Sequence, residues 1–339
     1  MVLSIQYLRG IAALLVVLSH VAWKGRQYST DPLDFFRIGE SGVDIFFVIS
    51  GFIMCYTTAK SSGTPAASLV FLKNRVRRII PLYWVLTALV LPVFLLFPGK
   101  VNSGGGTTEV LNSFLLIPTD NKYLIQAGWT LSYEFFFYFI FSIGMLTGKM
   151  LGQALTVYCL GILFYLGIWL RPTSVWGQFL TDPMLVEFAF GILLYNLKIG
   201  GMLSRRIGAI CIAASTALLL AVNFELLELP YRCFRLGLPA FMLCYGLVSF
   251  EDDLLKRPLA PLKTLGDLSY SLYLIHPFPL AILGIFWYRF VGKEWGGLFT
   301  ALLIAAAVFA GWACYRYLEL RLGRIFKPSE RRPVHNVLA

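Results

Sequence analysis

The sequence predicts an all-α fold, a polytopic membrane helix bundle, and three observations carry that reading. Hydrophobic residues make up 58% of the chain and charged residues only 14%, against roughly 25% charged in a soluble domain. Apolar windows of about 20 residues, the length that crosses a bilayer, recur ten times. With the N-terminus inside, 19 of the 29 Lys and Arg residues fall on inner segments, the bias expected of cytoplasmic loops. Both termini are therefore expected to be cytoplasmic. The same bias accounts for the net charge of +11 without nucleic acid as a partner.

The ten windows are 4–23, 42–59, 79–97, 129–147, 152–170, 183–198, 207–223, 234–250, 268–288 and 298–318. Their short connections predict one transmembrane domain over residues 1–320, followed by a short basic cytoplasmic tail, 321–339. The first window lacks a basic leader and a small-residue cleavage site, so it is expected to stay in the membrane. The longest outer connection, 98–128, holds the flexible stretch NSGGGTTE and then LNSFLLIP, too short to cross and expected to be re-entrant or interfacial. The six cysteines are scattered, which indicates neither a zinc site nor a disulfide framework.

The first window, SIQYLRGIAALLVVLSHVAW, carries Arg9 and His20. A charged side chain in hydrocarbon costs about 2.5 to 3.5 kcal/mol. Eleven residues make about three turns, so the two side chains share one face roughly 16 Å apart, and that face should line a pocket. The alternative is an interfacial Arg9 with a histidine satisfied in the core. Asp44 opens the second span at the level His20 reaches, where it either orients the imidazole or serves as an anion at a helix N-terminus. Ser50, Gly51 and Gly42 on that span are read as packing residues.

FLKNRVRRIIPLYW is expected as an inner loop leading into span three. If helical, it puts Arg75 and Arg78 on one face, able to grip phosphates bidentately; as topology signals alone they need no ligand. Glu134, two turns into span four, is a candidate partner of His20 or a structural mate of a buried cation. His276 precedes Pro277, and with Pro279 this marks a kink whose freed carbonyls a histidine could satisfy.

Five blocks appear in a fixed order: RGIAALLVVLSH, FFVISGF, FLKNRVRRIIP, WTLSYE and SYSLYLIHP. In these the chain resembles the acyltransferase 3 family of integral membrane O-acyltransferases from Leu8 to about Glu319, and most of all its stand-alone exopolysaccharide O-acetyltransferases. RYLELRLGR lacks the proline that often follows the family glutamate, which leaves Glu319 without an assigned role. The resemblance implies acetyl-CoA as donor and a sugar hydroxyl of a lipid-linked or growing glycan as acceptor, at a bacterial inner membrane and with no metal. Arg9, Arg75, Arg78, Ser50 and Tyr83 would then serve the donor. His20, Glu134 and Asp44 would be catalytic, with His20 as general base or acyl-carrying nucleophile. Trp129, Tyr133, Ser269, Tyr273 and His276 would serve the acceptor. Donor and acceptor would meet in one continuous cavity between spans one, two, four and nine. Membrane lipid is expected around the bundle, with a homodimer or polysaccharide assembly complex as further partners. A glycan transporter with a His/Glu proton relay, and a scaffold of such a complex, are the rivals; the sequence has no internal repeat to support a transporter.

Overall fold

The computed structural model describes residues 2–28, 32–101, 106–292 and 295–326. Among these there is no strand, only an isolated bridge between Thr108 and Lys122. Residues 102–105 of the glycine-rich stretch, and residues 327–339 of the basic tail with Lys327, Arg331 and Arg332, lie outside the described residues.

The helices that position the site are α1 (Leu3–Tyr28), α2 (Ser41–Thr57), α3 (Pro65–Leu96), α4 (Gly128–Gly144), α5 (Lys149–Leu170), α6 (Val186–Ile199), α7 (Arg205–Asn223), α8 (Leu238–Ser249), α9 (Ala260–Ile275), α10 (Pro277–Phe290) and α11 (Gly296–Cys314). Eight helices among the described residues are long and apolar enough to cross a membrane, or nine if α9 and α10, bent by 60° at His276, form one span. The window expected at 234–250 is a shorter apolar helix, Cys233–Ser249, which opens with a π-helical turn. Ten spans are therefore not reached on helix length alone.

The basic stretch expected as an inner loop is helical. Thr64 caps α3 by accepting from the Ala67 amide, and Ala, Leu, Lys and Arg that follow are good helix formers. Helix α3 then runs 32 residues through Pro81 and Pro92. The LNSFLLIP segment contributes only the six-residue helix Val110–Leu115. It is pinned to α3 by Tyr83 Oη donating to Ser113 O at 2.6 Å and Trp84 Nε1 donating to Phe114 O at 2.8 Å.

At its start, α1 is held by Glu251, whose buried carboxylate accepts from the amides of Leu3 and Ser4 at 2.7 and 2.8 Å. These are two of the donors a helix N-terminus leaves unpaired. Helices α2 and α6 touch through backbone: a methyl on Gly51 would lie 2.1 Å from Phe188 O, and one on Gly191 would lie 2.0 Å from Val48 O. Small residues let membrane helices approach this closely. Gly51→Ala should therefore destabilise the protein by about 1 to 3 kcal/mol, the usual cost of overpacking, visible as a lower melting temperature in detergent. An unchanged melting curve would mean that the two helices part freely.

Candidate active site

A cavity of about 210 Å³ opens among α1, α2, α3, α4 and α9. Its polar lining includes Arg9, Arg75, Arg78, Glu134, Ser50 and Tyr138, and its apolar side includes Ile49, Ile53 and Met54. Helical spacing explains the selection on α3: Arg75 and Arg78, three residues apart, line the cavity, whereas Lys73 and Arg77 do not.

The charges are unequally engaged. Arg78 Nη1 lies 2.7 Å from Glu319 Oε1, a carboxylate that also accepts from Ser271 Oγ at 2.6 Å. Glu319, left without a role in the sequence analysis, thus ties α3 to α9 beside the cavity. Arg75 stacks 5.7 Å over the Phe71 ring, and its Nε is buried without a hydrogen-bond partner. Arg9 has one side-chain bond, to Gln6 Oε1 at 3.3 Å, and no carboxylate within 4 Å among the described residues. The structural pair of Glu134 with Arg9 is therefore absent. Glu134 instead accepts from Ser50 Oγ at 2.5 Å and from Tyr138 Oη, both at Oε1. Its Oε2 is left without a protein partner among the described residues.

His20 is not part of the cavity lining. Its ring centroid lies 4.8 Å from that of His276, edge to face. The boundary between cavity and imidazoles is aromatic. Tyr273, which lines the cavity, packs 5.7 Å from Phe46 and 6.3 Å from His276, and its Oη is 2.7 Å from Thr130 Oγ1. Each histidine uses Nδ1 on its own helix, His20 at 2.9 Å from Val16 O, His276 at 2.9 Å from Tyr273 O and 3.1 Å from Leu272 O. Pro277 has no amide hydrogen to give Tyr273 O, and the His276 ring takes that place. Because carbonyls only accept, Nδ1 carries the proton in both rings and Nε2 presents the lone pair.

A match to the acyltransferase domain family covers residues 2–317. The chain belongs to the acyltransferase 3 family. It is 31% identical over 329 residues to the exopolysaccharide production protein ExoZ of Rhizobium meliloti (strain 1021), covering 85% of this chain and 92% of that protein. It is 25% identical over 377 residues to the acyltransferase MdmB of Streptomyces mycarofaciens, covering 98% and 93%. No solved structure is a significant match. The protein is a multi-pass membrane acyltransferase.

Within this acyltransferase 3 chain the family blocks separate into two groups. Arg9, Ser50, Arg75, Arg78, Glu134, Ser269 and Tyr273 all line the cavity, while His20 and His276 sit together behind its Tyr273 wall. The single continuous cavity expected from the sequence is thus interrupted, because the Phe46 and Tyr273 rings pack against each other across it. Glu134 accordingly stands in the cavity and not beside His20.

Four further residues expected at the site stand outside the cavity lining. Asp44 does not meet His20: it is fully buried and bonded by Arg232, from Nη2 at 2.9 Å and Nε at 3.2 Å. Tyr83 is fully buried, holds the Val110–Leu115 segment and is not part of the cavity lining. Trp129 and Tyr133 are outside the cavity lining; Tyr133 donates to Asp182 at 2.8 Å and stacks 4.6 Å from Phe179. Missed by the sequence reading were Thr130, inside the WTLSYE block, and Tyr138, four residues beyond it, which both look like packing residues, and Arg232, which reads as an ordinary loop cation. Glu187, fully buried in α6, carried a signal that was available: a carboxylate inside an apolar span.

Proposed function

We propose that this acyltransferase moves an acetyl group from cytoplasmic acetyl-CoA to a sugar hydroxyl of an exopolysaccharide or another lipid-linked glycan at the bacterial cell membrane. One observation carries the reading. Three guanidinium groups and a single unpaired carboxylate oxygen line a cavity among five helices, a costly arrangement in a membrane that fits an anionic substrate entering from one end. At about 210 Å³ the space suits the thioester end of the donor, with the nucleotide phosphates at the mouth near Arg75 and Arg78. The name of the R. meliloti relative, an exopolysaccharide production protein, supports a glycan as acceptor.

His20 Nε2 is then the base. It takes the proton of the acceptor hydroxyl as the oxygen attacks the thioester carbonyl, and the departing thiolate takes that proton back. A positioned base of this kind contributes roughly 10² to 10⁴-fold. Tyr273 and Phe46 must move aside for the thioester to reach it.

Purified protein incubated with labelled acetyl-CoA and membrane glycan tests the proposal. Consumption of the thioester with label appearing as glycan ester is the expected result; a carrier or scaffold would leave the thioester intact. Arg78 is already neutralised by Glu319, so the donor depends more on Arg75. Arg75→Ala should weaken acetyl-CoA binding by about 1.5 to 3 kcal/mol, the worth of a charge-assisted phosphate contact, and Arg78→Ala by less. Equal and negligible losses in titrations of the two variants would return both residues to a topological role.

A further inference from the structure

The imidazole pair holds an atom that the mechanism above does not use. His276 is 2% exposed, and its Nε2 is buried with no hydrogen-bond partner. A buried acceptor left unsatisfied is costly, and a site built around one rejects ligands that lack the matching donor. The kink explains Nδ1 of His276, which replaces the missing Pro277 amide hydrogen, but leaves Nε2 unexplained. One bond fixes its neighbour in the same way, since His20 spends Nδ1 on Val16 O of its own helix. Two lone pairs therefore remain on rings whose centroids are 4.8 Å apart.

Two acceptors side by side can be satisfied by one shared proton or by two separate donors. A shared proton would place a positive charge there, yet no carboxylate lies within 4 Å of either imidazole among the described residues, and Glu40 and Asp44 are both committed to Arg232. An unpaired buried charge is strongly disfavoured. Two neutral donors are the better match.

We infer that the His20–His276 pair is the acceptor subsite and selects a vicinal diol: the hydroxyl to be acylated gives its proton to Nε2 of His20, while the hydroxyl on the adjacent carbon donates a hydrogen bond to Nε2 of His276. Hydroxyls on neighbouring ring carbons stand about one hydrogen-bond length apart, a separation that adjacent imidazoles can serve together. The step balances without further reagents. The reacting O–H bond breaks, its proton goes to His20, the oxygen forms the ester bond to the acetyl carbon, the C–S bond breaks, and the thiolate recovers the proton from His20. No bond changes at the neighbouring hydroxyl, which only orients the acceptor. An acetyl group is thus directed to a secondary ring hydroxyl with a free neighbour, not to an isolated primary one. The inference rests on the acetyltransferase reading above.

The test compares two isomeric acceptors, trans-1,2-cyclohexanediol and trans-1,4-cyclohexanediol, with the full-length protein and labelled acetyl-CoA. The 1,2 isomer should show a kcat/KM about five- to tenfold higher, carried mainly by KM, since about one neutral hydrogen bond separates the two. His276→Asn keeps an amide donor near the Nδ1 position and removes Nε2, so it should melt like the wild type yet lose the preference; His276→Leu, which loses both, should lose the preference and melt lower. Equal use of the two diols by the wild type, or a 1,2 preference that survives in His276→Asn, overturns the inference and leaves His276 as a brace for the kink. Transfer to neither diol by protein that consumes the thioester with membrane glycan also overturns it, whereas a wild type inert toward acetyl-CoA under every condition would sink the acetyl-CoA reading on which it rests.

Discussion

His20→Ala should give a folded, membrane-inserted protein whose acetyl transfer falls by roughly 10² to 10⁴-fold, the range for removal of a positioned base. A second imidazole, His276, lies only 4.8 Å away between ring centroids. His276 still cannot replace it. Its Nδ1 is bound to the carbonyls of Leu272 and Tyr273 at the kink, so turning its ring toward the donor would leave Tyr273 O unpaired in the membrane interior. His20→Asn is the stricter variant, because its amide can still donate to Val16 O while presenting no basic nitrogen. Label transfer from acetyl-CoA measured in both variants decides the matter; activity within threefold of wild type in His20→Asn would remove His20 from the chemistry.

The second large effect falls on stability. Asp44 is fully buried and receives two bonds from Arg232, which also reaches Glu40 Oε2 at 3.0 Å. Breaking such a pair from one side leaves the other charge uncompensated, at a cost of about 3 to 5 kcal/mol. Asp44→Ala should therefore melt far below wild type in detergent, and Arg232→Leu in the Asp44→Ala background should recover much of the loss. The alternative assignment, Asp44 as orienter of His20, makes the opposite claim: a stably folded Asp44→Ala with abolished transfer would support it.

Why some of this was legible in the sequence and some was not follows from the kind of information each feature needs. Spans are written in local composition, and the kink in the prolines after His276, so both emerge from one dimension. The face shared by Arg75 and Arg78 follows from helical spacing once that segment is known to be helical, and it was misread as a loop because charge was given more weight than helix propensity. Depth along a span is also readable, which is how Asp44 came to be matched with His20. Pairing is not. Arg232 lies 188 residues from Asp44 in the chain, and nothing local marks it as the residue that folds back onto α2. Glu319 illustrates the same limit: its partners Arg78 and Ser271 come from α3 and α9, and only packing brings them together. Tyr83 and Tyr133 were overread for the converse reason, since an aromatic ring in a family block has the same appearance whether it meets a ligand or a backbone carbonyl.

The central claim is that the donor enters beside Arg75 and reaches His20 by displacing Tyr273 and Phe46. A structure of the protein with a non-cleavable thioether analogue of acetyl-CoA measures this directly. The account predicts phosphates against Arg75, the Tyr273–Thr130 hydrogen bond broken, and the carbonyl carbon of the analogue within about 3.5 Å of the atom position from which a His20-bound hydroxyl would attack. An analogue whose acetyl end stops at Glu134 with Tyr273 still closed, or whose phosphates bind away from Arg75, would contradict it.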